Sequence, residues 1–99
     1  MKRTNNFSGT YRTKSGCTYV RFSFERQMNG DVHAYILQDN IDYLGQPSDV
    51  FTTHRIHDPD RQLYYVCWKP QPTSYDAALA VGKLWAEAIE GYAILGNKF

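Results

Sequence analysis

No run of apolar residues in this chain approaches the roughly 20 needed to cross a bilayer as a helix. Cysteine is nearly absent: Cys17 and Cys67 are the only two in 99 residues, too few for the disulfide framework of a small secreted domain. The opening residues, Met1 to Asn6, lead into polar sequence and not into the apolar segment of a secretory leader. These absences predict a cytoplasmic protein with two free thiols buried in strands and no membrane partner. Also missing is a glycine-rich loop running into a helix, which excludes the common phosphate cradles. No elbow-like motif surrounds Ser8, Ser15, Ser23, Ser48 or Ser74, and Cys67 sits between Val66 and Trp68 in a strand-like run. Nucleophilic catalysis needs such a group beside a positioned base, so an enzyme is not expected.

What the chain does have is enough apolar matter for one core. Apolar residues make up 42% and aromatics 15%, the composition of a folded domain and not of a disordered tail. One domain over residues 1–99 follows, with residues 1–6 as a flexible tail. Tyrosine is abundant at eight; it serves binding surfaces well, and it is also a good strand former. A net charge of +1 hides an asymmetry. Residues 1–26 hold six cations against Glu25 alone, net +5, and the remainder holds five cations against nine acids, net −4.

Alternation and turn chemistry divide the first two thirds into strands. Residues 7–14 read as a strand, and Ser15-Gly16 reads as a hairpin turn. In residues 17–25, Val20, Phe22 and Phe24 alternate with Arg21, Ser23 and Glu25, giving one dry and one wet face. Asn29-Gly30 is a strong hairpin signal, leading into a third strand at 32–38. Residues 39–49 form a long, acidic, turn-rich loop around Tyr43. Residues 51–57 and 63–69 complete five strands, and the last, apolar on both faces, belongs inside the sheet.

Pro70 and Pro72 end strand structure and a long helix follows. Thr73 or Ser74 caps it, Asp76 lies near its positive end, and Gly96 terminates it. The apolar arc is read as Ala77, Val81, Leu84, Trp85, Ala88, Ile89, Tyr92 and Leu95, so Val20, Phe22, Phe24, Val66, Leu84, Trp85 and Ala88 are expected in the core. Lys83, Glu87 and Glu90 take the far side. A strip of small residues, Ala78, Gly82, Ala86 and Ala93, flanks the arc and suits close approach by either a second helix or the protein's own sheet. Leu79 and Ile94 fall outside the arc as exposed aliphatics.

Few constellations suggest chemistry. His54, His57 and Asp58 are the one cluster resembling a metal or acid–base site. Residues three apart on a strand face opposite ways, so no ligand set converges and neither metal nor cofactor is expected. Asp39, Asp42 and Asp49 lack the spacing of a calcium loop. In the first hairpin Tyr11, Arg12, Lys14, Tyr19 and Arg21 interleave cations with rings, a pattern that contacts phosphates and stacks on bases.

The fold expected is α+β: a mainly antiparallel sheet of about five strands with one C-terminal helix on one face, in the order β-β-β-loop-β-β-α. The function expected is a small non-enzymatic protein-binding module, an adaptor or inhibitor, through Leu79, Ala86, Ile94 and Tyr43, with another protein or a second copy of itself as partner. By size alone it suits an accessory protein of a phage or mobile element. The alternative is nucleic-acid binding through the basic hairpin, and a third reading is an enzyme built on His54, His57 and Asp58.

Overall fold

The structure, a computed structural model, describes residues 5–98, and its two N-terminal hairpins form where the turn residues place them. Strand β1 (Phe7–Arg12) turns back into β2 (Tyr19–Arg26), and β2 into β3 (Val32–Asp39). The second turn closes with the Gln27 N–H on the Asp31 carbonyl at 2.7 Å, and Gly30 supplies its positive φ of 94°. Phe7 pairs with Phe24, Tyr11 with Val20, Phe22 with Ile36 and Phe24 with Ala34. Alternation therefore places all of these on one face of the meander.

Two short strands follow, β4 (Arg55–Asp58) and β5 (Leu63–Val66), then helix α1 (Tyr75–Leu95). The sheet is antiparallel throughout, in the order β1-β2-β3-β5-β4. The last hairpin thus inserts β5, the strand apolar on both sides, between β3 and β4, and leaves β4 at the edge. Strand β4 begins later than the residue 51 expected from sequence. Asp49 organises a turn through Val50–His54: its carboxylate accepts from the Thr52 N–H at 3.1 Å, and its carbonyl accepts from the Thr53 N–H and hydroxyl.

The long connection 40–54 is fastened to the helix. Trp85 Nε1–H donates to the Thr53 carbonyl at 2.9 Å, the Tyr92 hydroxyl donates to the Pro47 carbonyl, and the Tyr43 ring lies 6.3 Å from that of Tyr92. Of the expected tail, residues 1–4 lie outside the described residues. Asn6 is held, its side-chain oxygen accepting from the Tyr75 hydroxyl and the Arg26 N–H.

The helix is capped as its sequence dictates, with Ser74 accepting from the Ala77 N–H and Gly96 left-handed at φ 73°. Its rotation differs from the expected arc. The buried face is Ala78, Val81, Gly82, Trp85, Ala86, Ile89, Tyr92 and Ala93, whereas Leu84 is 56% exposed and Ala88 only half-buried. Small residues decide this. Val20, Phe22 and Phe24 already fill the space above the sheet, so the side of the helix with least bulk comes closest. A Cβ on Gly82 would stand 3.3 Å from the Phe22 ring and 3.4 Å from that of Phe24. Burying Trp85, Ile89 and the phenylalanines contributes about 1.5–3 kcal/mol each.

Candidate binding groove beside the edge strand

The helix packs over β2, β3 and β5. Strand β4 extends beyond it, and a groove of about 820 Å³ opens between them, lined by Val50, Phe51, His54, Arg55, Ile56, His57, Cys67, Trp68, Lys69 and Ala88. Each element positions its share for a local reason. The Asp49-anchored turn carries Val50, half-buried, and Phe51, 88% exposed. Trp68 follows the end of β5 and lies partly against the core. Ala88 comes from the helix. At about 100° per residue, Ala77, Leu84, Ala88 and Leu95 lie within about 40° of one another. They are the half of an over-wide apolar arc that the sheet does not cover.

The rim is cationic. Arg55 donates from Nε to the Thr53 hydroxyl at 2.8 Å and from Nη2 to the Ser48 carbonyl at 2.7 Å, with its guanidinium 4.6 Å from the centroid of the Tyr64 ring. His57 meets the same ring edge-on at 5.0 Å. Lys69, also in the lining, stands exposed. Among the described residues none that lines the groove is acidic. A floor of this kind takes apolar side chains, and its rim favours carboxylates.

The backbone adds directionality. The Cys67 N–H donates to the His54 carbonyl at 2.8 Å, and Ile56 pairs with Tyr65. Alternate residues of a strand turn their polar groups to opposite sides. Residues 54, 56 and 58 therefore face β5, while Arg55 and His57 face outward. The Arg55 N–H is used within the turn by the Val50 carbonyl at 3.0 Å. The His57 N–H and carbonyl point to the open edge.

The protein-binding residues expected from sequence do not share a surface. Ala86 is 0% exposed and packs in the core, because the small strip faces the sheet and not a second helix. Leu79 is half-buried beside Phe7, Phe22 and Phe24 at the β1 side. Tyr43 is half-buried against Tyr92, and Ile94 is exposed on the flank that carries Glu87.

The basic hairpin is also divided. Arg12, Tyr19 and Arg21 share the sheet face away from the helix, with Arg12 donating to the Gly16 carbonyl at 2.8 Å. Tyr11 points the other way, its hydroxyl on Glu87, which raises its pKa. The Lys14 backbone N–H also donates to Glu87, at 3.0 Å, and Thr13 and Ser15 donate to Glu90 at 2.6 and 3.0 Å. The hydrogen bond from Thr13 holds Glu90 below the usual carboxylate range. Both glutamates, expected on the far side of the helix, are spent anchoring this hairpin.

Tyrosine abundance has the same outcome. Tyr35, Tyr75 and Tyr92 are buried, and the hydroxyls of Tyr11, Tyr35, Tyr75 and Tyr92 are bound to protein acceptors. The cysteines depart from expectation too. Cys17 lies in the first turn and is exposed, and Cys67 is half-buried just beyond β5; both are free.

His54 sits in a turn at φ 53° and His57 lies in β4. Asp58 faces the opposite side of the sheet, where the Tyr35 hydroxyl donates to it at 2.5 Å. Among the described residues no three His, Cys, Asp or Glu side chains gather to hold a metal ion.

That opposite face carries a cluster sequence reasoning missed. Arg61 makes a two-pronged bond to Glu25 at 2.9 and 2.7 Å, Ser23 donates to Glu25 at 2.7 Å, and the His33 ring stacks on Tyr65 at 3.8 Å. Hydrogen bonds from Arg61 hold Glu25 below its ordinary pKa, burial lowers that of His33, and burial raises that of Tyr35. The signal was present in the register: a tight turn at Asn29-Gly30 sets Glu25 opposite His33 and Ser23 opposite Tyr35. These groups satisfy one another and clamp the β4–β5 hairpin to the meander.

No protein-family model, characterised protein or solved structure matches this chain. The groove and its surroundings therefore carry the functional reading by themselves.

Proposed function

We propose that this chain is a small non-enzymatic protein-binding module that seats an apolar segment flanked by carboxylates, supplied by a partner protein, in the groove beside β4. The observation that carries the reading is the pairing of an apolar floor with a rim of Arg55, His57 and Lys69 and, among the described residues, no acid in the lining. An aromatic as exposed as Phe51, in one groove with Ile56, Trp68 and Ala88, gives a partner area to bury. Buried aromatics at the centre of a patch with charges at its rim are the anatomy of protein interfaces.

Nucleic-acid binding is the second reading, and Arg12, Tyr19 and Arg21 on one sheet face favour it. Glu25 and Asp58 on the same face, with Glu87 and Glu90 beneath the turn, weaken the field that a polyanion would feel.

Selection of a random-peptide display library on the full chain tests the proposal. The expected outcome is enrichment of sequences combining apolar anchors with Asp or Glu. Their binding should be lost in Phe51→Glu and in Ala88→Glu, and kept when Arg12, Lys14 and Arg21 are changed to Gln together. Circular dichroism should show both charge variants folded. Binding of duplex DNA or single-stranded RNA that falls steeply with salt and vanishes in the triple variant would overturn it.

A further inference from the structure

We infer that the partner segment binds as an added β-strand, pairing its backbone with the outward groups of β4 and directing alternate apolar side chains into the groove. This inference rests on the groove reading and goes beyond it by naming the binding mode. Three observations converge. Strand β4 is the end of the sheet, with no described strand on its outer side. The ladder to β5 turns the His57 N–H and carbonyl and the Arg55 carbonyl outward. The helix stops short of β4, so the inward face of one more strand would meet the groove lining and not the helix backbone.

An extended segment has side chains that alternate between faces. Those turned toward the helix would fill the space among Phe51, Trp68 and Ala88. Carboxylates flanking the segment would meet Arg55 and Lys69 of the lining. Strand addition of this kind draws affinity from main-chain hydrogen bonds and specificity from pockets for alternate residues. A bare edge also invites pairing with other copies of the same chain. Here it is only four residues long and carries Arg55 and His57, features that blunt such pairing. The occupant inferred is accordingly an acidic, apolar partner segment.

The test removes one backbone donor. Proline is tolerated on an edge strand where its missing N–H faces outward, and residue 57 is such a position. With a fluorescently labelled peptide from the display selection, His57→Pro should bind at least tenfold more weakly than the parent chain. His57→Ala, which gives up the rim imidazole but keeps the backbone N–H, should bind at least fivefold more tightly than His57→Pro. Hydrogen exchange on the parent chain provides an independent readout: the His57 amide should slow at least tenfold in the complex. If His57→Pro fails to fold, the exchange result decides.

Parent-like binding by His57→Pro, or an unprotected His57 amide in the saturated complex, would overturn strand addition. The groove reading would survive that outcome if Phe51→Glu still blocked the peptide. Selected peptides with an apolar period of three to four instead of two would also overturn it, in favour of a bound helix. A dimer by sedimentation that His57→Pro converts to monomer would assign the edge to a second copy and contradict the partner inferred.

Discussion

Trp85 and Leu84 are adjacent in sequence and opposite in role, and the contrast measures the helix's rotation. Trp85 is fully buried, edge-on to Phe22 at 6.3 Å and bonded to the Thr53 carbonyl. Trp85→Ala should destabilise the fold by about 3–5 kcal/mol, through lost transfer energy and the cavity left behind. Leu84→Ala trades one strong helix former for another at an exposed site and should stay within about 0.5 kcal/mol. Urea denaturation of the two variants checks this, and equal losses would mean that the helix is turned toward the other arc. Gly82 makes the same point from the side of bulk. Its missing Cβ lets the helix rest on Phe22 and Phe24, so Gly82→Val should cost about 1–3 kcal/mol through overpacking.

At the scale of elements, the β4–β5 hairpin is the loosest part of the sheet by construction. Two residue pairs, Tyr35–Tyr65 and Ile36–Tyr64, join it to β3. Val66 and Trp68 pack against the core, and side chains of the outer face, several of them titratable, add to the attachment. Burial depresses the pKa of His33, so an unfolded chain takes up that proton first and stability falls as pH drops below about 6.5. Glu25 and Asp58, lowered by bonds from Arg61 and Tyr35, extend the loss at lower pH as they protonate. Tyr35 is raised, so stability also falls above about pH 10, where the unfolded tyrosine ionises and the folded one does not. The urea midpoint should therefore be highest between about pH 7 and 9, and His33→Gln should remove the first part of the acid limb. An acid limb that is the same in His33→Gln would contradict this assignment. Arg61→Ala should quicken amide exchange in β4 and β5 while leaving that of β2 unchanged, since the clamp belongs to the hairpin and not to the core.

At the scale of the whole molecule, the α+β plan of five antiparallel strands and a C-terminal helix was legible because each part has a local cause. The Asn29-Gly30 turn, the alternation through Val20, Phe22 and Phe24, and the Ser74 and Gly96 caps act over a few residues. The helix's rotation was not legible, since apolar residues occupy more of its circumference than one sheet can cover. The bulk of Phe22 and Phe24 opposite Gly82, with the bonds from Trp85 to Thr53 and from the first hairpin to Glu87 and Glu90, chooses the face. The inner place of β5 was legible from its apolar run, but its insertion beside β3 is a long-range choice that no turn encodes. That insertion creates the groove, because it places β4 beyond the reach of the helix. Expecting the partner surface at Ala86 failed for the same reason: a small residue reads alike whether it meets another chain or its own sheet. The measurement that bears most directly on the groove is an amide chemical-shift titration of the full chain with a display-selected acidic, apolar peptide. The shifts should concentrate at Phe51, Arg55, His57, Trp68, Lys69 and Ala88, leaving Arg12, Tyr19 and Arg21 unmoved. Shifts confined to the β1–β2 face, or absent from the groove at saturation, would contradict the assignment of binding to this site.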